Sequence, residues 1–182
     1  MTLGPMHGPG QPAGPRLRVD PEQRDALARR TVTLPTVEDT RAFGARLGAV
    51  LRRGDLVVLS GLLGAGKTAL VQGIGAGMGV RGRIASPTFV IARVHPPHDD
   101  GGVPLVHVDA YRLGSLGEVD DLDLDVDAPA SVTVVEWGAG LVEQLADAHL
   151  TIILERAAAS DERSAVLEPH GSDWAERVAQ LG

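Results

Sequence analysis

The sequence predicts an α/β fold, a mainly parallel sheet flanked by helices, and three observations carry that expectation. Short β-branched runs alternate with segments whose apolar residues recur at helical spacing, the pattern of strands joined by crossover helices. A glycine-rich turn separates one such run from the helix that follows it. The chain is 43% hydrophobic yet holds only two Phe, two Trp and one Tyr in 182 residues, so its core must be aliphatic.

About the first 28 residues alternate Gly and Pro without periodicity. They read as a flexible tail, without the basic start and continuous apolar centre of a secretory signal. Residues 29–182 suffice for one compact domain. Thr31 to Leu34 reads as a strand. Thr36 is placed to cap a helix whose Val37, Phe43, Leu47, Val50 and Leu51 recur at helical spacing until Gly54 stops them. Asp55 to Ser60 is a short apolar strand, and the turn after it opens a helix from about Gly66 to Met78, closed by Gly79. Further strands are expected at Phe89–Val94, Leu105–Asp109, Val132–Glu136, Leu150–Glu155 and Ser164–Leu167, with a last helix near Asp173–Gln180.

Charge and composition exclude several functions. A formal charge of -7 opposes an autonomous grip on a phosphate backbone, which needs clustered Lys and Arg. The few aromatics exclude a platform that stacks bases. With no Cys there is no disulfide framework or thiolate site, and no apolar run approaches the roughly 20 residues of a membrane helix. A reducing compartment, the cytoplasm, fits that composition.

Gly61-Leu-Leu-Gly-Ala-Gly66-Lys67-Thr68 matches the phosphate-loop pattern in full and stands between a strand and a helix, as the pattern requires. Its glycines let successive N–H groups point into one concavity while the next helix turns its positive end to the same anion. Leu63, Gly64, Ala65, Gly66, Lys67 and Thr68 are therefore the expected nucleotide contacts. Lys67 adds charge at the β- and γ-phosphates, and the Thr68 hydroxyl suits Mg²⁺, which prefers oxygen. The competing reading is a Gly-rich turn with an incidental Lys, and the coincidence of spacing, Lys, Thr and context weighs against it.

Two apolar runs end in carboxylates, Asp109 and Glu136, and ligands of open α/β sheets bind beyond the carboxyl ends of strands. Each acid is a candidate near the metal, directly or through water, and each could instead cap the turn that follows. Ser86-Pro-Thr88-Phe89 is a candidate γ-phosphate switch or an ordinary turn entering a strand. The acidic run from Glu118 to Asp127 lacks the register of a Ca²⁺ loop and reads as a solvated connector. The six His residues form no zinc pattern; His107, beside a strand end, is the one to watch, against the plainer reading of a ring packed on the sheet.

Gly64-Ala-Gly-Lys-Thr68, Ser86-Pro-Thr-Phe89, His107-Val-Asp-Ala-Tyr-Arg112 and Val135-Glu-Trp137 occur in one order over residues 32–168. In order and spacing the chain resembles TsaE, the small P-loop ATPase family of bacterial threonylcarbamoyladenosine tRNA modification. The resemblance implies a P-loop NTPase fold that binds ATP and Mg²⁺, with Thr68 and Glu136 holding the metal and Asp109 essential for hydrolysis. It also implies a switch residue at Thr88, a functional requirement for Trp137, and nucleotide contacts at Thr36, Val37 and Arg163. The implied partners are TsaD and TsaB, with tRNA reached through that complex and threonylcarbamoyl-adenylate supplied by TsaC. The implied product is threonylcarbamoyladenosine at position 37, beside the anticodon, of tRNAs that read codons beginning with adenine. The chain departs from the family at Leu62 and Ala69, and it has Gly138-Ala-Gly140 where Pro and an acid are frequent. A small-molecule P-loop kinase is the enzyme alternative, but no Arg-rich lid follows the acidic segment. A non-hydrolysing nucleotide switch, for instance a GTP-binding module, is a third reading, and no guanine-reading Asn-Lys-x-Asp string occurs.

Overall fold

The computed structural model describes residues 28–85, 92–112, 128–140, 142, 146–158, 160–171 and 173–181. Seven strands form one sheet in the order β1-β7-β6-β2-β5-β4-β3. They are β1 (Arg30–Leu34), β2 (Leu56–Ser60), β3 (Ala92–His95), β4 (Leu105–Asp109), β5 (Val132–Glu136), β6 (His149–Arg156) and β7 (Arg163–His170). The helices are α1 (Val37–Val50), α2 (Lys67–Met78) and α3 (Trp174–Ala179). The fold is α/β, as expected.

The central pairings β6–β2, β2–β5 and β5–β4 are parallel, whereas β1–β7, β7–β6 and β4–β3 are antiparallel. Crossover helices therefore do not join every pair. β6 and β7 form a hairpin in full register from His149–His170 to Arg156–Arg163, closed by the Ala157 N–H donating to the Glu162 carbonyl. Both strands outrun the expected Leu150–Glu155 and Ser164–Leu167, because hairpin pairing carries polar ends that an apolar run does not mark. β3 starts at Ala92 and reaches His95, one residue past the expected end, and the first residues of the predicted Phe89–Val94 strand lie outside the described residues. So do the switch candidate Thr88 and the acidic run from Glu118 to Asp127.

Helix limits follow their caps. Thr36 closes a capping box, its hydroxyl accepting from the Asp39 N–H at 3.1 Å while the Asp39 carboxylate accepts from the Thr36 N–H at 3.0 Å. Such a cap contributes about 1 kcal/mol. Gly79 ends α2 at φ 65, a left-handed conformation that glycine takes without steric cost. α1 and α2 pack backbone to backbone: a Cβ on Gly44 would strike the Leu70 carbonyl, and one on Gly73 the Arg41 carbonyl.

Phe43 and Leu47 of α1, Leu70, Val71 and Ile74 of α2 and Trp174 and Val178 of α3 share one core with Val57, Leu59, Leu105, Val132, Val134 and Ile152 of the sheet. On the other face Leu56, Val58, Val106, Val108 and Val135 pack with Ala110 and Val142. Because strand side chains alternate, His107 and Asp109 share the helix-covered face of β4 with Leu105, and Glu136 shares that face of β5 with Val132 and Val134. The same face receives the first turn of α2.

Candidate functional site

β2, β5 and β4 lie side by side and point the same way, so their carboxyl ends deliver the glycine-rich loop, Glu136 and Asp109 to one edge of the sheet. Glu136 is paired across the ladder with Leu59 on one side and Asp109 on the other. The loop rises from Ser60 and re-enters helix at Lys67. Gly64 and Gly66 both adopt positive φ, 79 and 109, which a side chain would strain. The Ala65 N–H donates to the Leu62 carbonyl at 3.1 Å, which tightens the turn, and Ala65 is buried while Leu63 is 92% exposed.

Lys67, buried despite its charge, folds back under the loop: its ammonium donates to the Gly61 carbonyl at 2.7 Å and the Leu62 carbonyl at 3.2 Å. It also lies 3.7 Å from the centre of the Trp137 ring, a cation–π contact. Burial pushes its pKa below the ordinary lysine value, and the charges of Glu136 and Asp109 offset part of that. Thr68 donates its hydroxyl to Glu136 Oε1 at 3.1 Å, with Oε2 at 3.4 Å. Glu136 is itself buried, and the His107 ring meets its Oε1 at 2.9 Å. Asp109, half-buried, accepts the Tyr111 N–H at 3.1 Å.

Trp137 follows Glu136 with φ 63, the one non-glycine residue with positive φ among the described residues. That conformation costs roughly 1–2 kcal/mol for an L-residue. Its N–H still donates to the Leu59 carbonyl at 2.9 Å, so the backbone turns only after the β5–β2 ladder ends. The turn brings the indole over Lys67 and against Tyr111, ring centres 5.1 Å apart. A cavity of about 770 Å³ is lined by Ser60–Leu63, Ala65, Trp137, the end of β6 from Ile153 to Arg156, and Ala157 and Ala158 beyond it.

Of the remaining expected residues, Arg163 lies against Gly66. A Cβ there would lie 3.0 Å from Arg163 Nε and 3.8 Å from the Thr40 methyl. Arg163, the first residue of β7, is buried, and its guanidinium reaches the Asp161 carbonyl at 2.5 Å. Its Nε has no hydrogen-bond partner among the described residues. Val37 begins α1 directly after the Thr36 cap, one turn before Thr40. Two participants were not assigned from sequence: Thr40, whose only sign was its place in the first helical turn, and His107 as the partner of Glu136. The alternation of β4 places His107 on the same face as Asp109, and that periodicity was the available signal.

As a donor set the site suits a magnesium nucleotide. Gly-rich backbone and a helix N-terminus form an anion cradle, Lys67 supplies a positive charge, and the Thr68 hydroxyl beside the Glu136 carboxylate offers hard oxygen atoms to a divalent ion. No group of three or more His, Cys, Asp or Glu that could hold a metal ion exists among the described residues. No described helix is long and apolar enough to cross a membrane.

Residues 34–165 match the family model described as threonylcarbamoyl adenosine biosynthesis protein TsaE. A protein of Streptomyces coelicolor named tRNA threonylcarbamoyladenosine biosynthesis protein TsaE is 56% identical over 139 residues, covering 74% of this chain and 93% of that one. The protein of the same name from Mycobacterium tuberculosis is 55% identical over 141 residues, covering 74% and 84%. The crystal structure of Bacillus subtilis YdiB superposes with a TM-score of 0.67 at 29% identity, over 84% of this chain and 93% of that one.

Proposed function

The chain belongs to the TsaE family of threonylcarbamoyl adenosine biosynthesis proteins, and from that membership we propose that it is the Mg²⁺-dependent ATPase subunit of a cytoplasmic tRNA-modifying assembly. The observation that supports this reading best is the joint placement of Lys67 inside the glycine loop and the Thr68–Glu136 pair at the first turn of α2.

In this reading the loop from Leu63 to Thr68 binds the phosphates through backbone N–H groups, and the N-terminus of α2 adds its partial positive charge. Lys67 exchanges its two carbonyl partners for phosphate oxygens. Thr68 and Glu136 hold Mg²⁺, which neutralises charge on the β- and γ-phosphates. The bond from the Tyr111 N–H supports Asp109 as the group that orients an attacking water, Arg163 lines the side of the site at Gly66, and Val37 is a further nucleotide contact. Thr88 serves as the γ-phosphate sensor.

The product is threonylcarbamoyladenosine on tRNA, made together with TsaD and TsaB, and hydrolysis resets that assembly. An exposed apolar rim around the loop supports a partner at the nucleotide site: Leu62 and Leu63 are 82% and 92% exposed and Tyr111 70%. The net charge of -7 supports tRNA contact through the assembly and not by this subunit alone.

Lys67→Ala tests the site directly. Loss of a charge-assisted phosphate contact lowers Mg-ATP affinity about 10–100-fold with the fold intact. Calorimetric titration of the folded variant measures it, and wild-type affinity would refute the nucleotide reading of this loop.

A further inference from the structure

His107 is fully buried between the sheet and the first turn of α2, and its one hydrogen bond among the described residues is to Glu136 Oε1 at 2.9 Å. A carboxylate only accepts, so Nε2 is the nitrogen that carries the proton and donates. Nδ1 is then a buried acceptor with no hydrogen-bond partner among the described residues. An unmatched buried acceptor is destabilising. A leucine would fill the same space without that cost, as Leu105 does one step back on the same face. The imidazole is therefore explained by the bond its Nε2 makes and not by packing.

That bond has a geometric effect. Thr68 and His107 both donate to Oε1, one from the helix and one from the sheet, so the carboxylate is held at a single oxygen from two sides. Oε2 keeps only the longer 3.4 Å approach of Thr68 among the described residues. A buried carboxylate fixed through one oxygen presents the other in a set direction, which lowers the cost of ordering it when a cation arrives.

We propose that His107 is a positioning residue for the metal: through Nε2–H it orients the Glu136 carboxylate so that Mg²⁺ entering with the nucleotide meets a ligand already in place. The inference rests on the magnesium-nucleotide reading above.

The test is the Mg²⁺ dependence of nucleotide affinity in the full chain, titrating a non-hydrolysable ATP analogue at stepped Mg²⁺ concentrations and in EDTA. In His107→Leu the Mg²⁺ concentration giving half of the affinity gain rises about 10–100-fold, while affinity in EDTA stays within about twofold of wild type. His107→Gln, whose amide N–H reaches about as far as Nε2, restores most of the wild-type response. If His107→Leu does not fold, His107→Asn, one methylene short of Gln, replaces it in the same comparison.

An unchanged Mg²⁺ requirement in the variant overturns the inference. So does an equal loss of affinity with and without Mg²⁺, which marks a packing role. If wild type binds the analogue equally with and without Mg²⁺, the metal reading falls and this inference falls with it. A wild type that needs Mg²⁺ beside a variant with the same need removes His107 alone.

Discussion

At the residue scale, two carboxylates on adjacent strand ends face different surroundings. Glu136 is buried and bonded by Thr68 and His107, whereas Asp109 is half-buried and holds the turn at Tyr111. A carboxylate beside the helix-borne hydroxyl is suited to a cation, and one facing outward is suited to a water. Glu136→Gln therefore weakens Mg²⁺-dependent nucleotide binding about tenfold or more, and Asp109→Asn spares binding but slows turnover about a hundredfold or more. Paired binding and phosphate-release assays separate the two, and normal hydrolysis by both variants in the assembled complex would dismiss the two-carboxylate site.

At the element scale, the loop depends on how closely α1 approaches α2. Gly44 and Gly73 sit where a methyl group would collide with backbone of the other helix, which a side-chain rotation cannot relieve. In an exposed helix interior Gly→Ala stabilises by roughly 0.5–1 kcal/mol. Here the collision reverses the sign: Gly73→Ala destabilises by about 1–3 kcal/mol. Urea denaturation reads the difference, and a Gly73→Ala protein as stable as wild type would show that the helices separate without cost. The contact matters for the site because α2 carries Lys67 and Thr68 at its first turn and α1 brings Thr40 against Gly66.

At the scale of the whole molecule, the strained turn at Trp137 links the proposed nucleotide site to the exposed rim. The indole covers Lys67 and touches Tyr111, so phosphate that draws Lys67 away also removes one of the indole's contacts. An anchor placed there would make partner binding depend on nucleotide. Trp137→Ala keeps its circular dichroism and changes ATP affinity less than about fivefold, the scale of an exposed cation–π contact. It weakens association with the TsaB–TsaD pair and lowers threonylcarbamoylation over repeated turnovers. A folded variant that assembles and sustains modification like wild type places the coupling surface elsewhere.

The glycine loop, the Thr36 cap, the Gly79 stop and the carboxylates at two strand ends were all legible in the sequence, because each depends on neighbours within a few positions. The site around them was legible in part. Nothing local marks that Asp55, just before β2, forms a buried bidentate pair with Arg177 of α3 at 2.6 and 2.9 Å. Burial works against the Arg177 charge, and its bonds to Asp55 and the nearby Asp173 outweigh that and push its pKa up. The antiparallel direction of the β6–β7 pairing was likewise not marked, since strand direction is set by the partner and not by composition. His107 carries the same lesson: its type and place on β4 were visible, but only the register of β4 against β5 and the seating of α2 put its Nε2 on Glu136. The sequence by itself determined the local conformations and the chemical groups available. Tertiary structure alone decided which groups meet, because a hydrogen bond between residues 29 positions apart depends on strand order and helix docking, which no short window of sequence encodes.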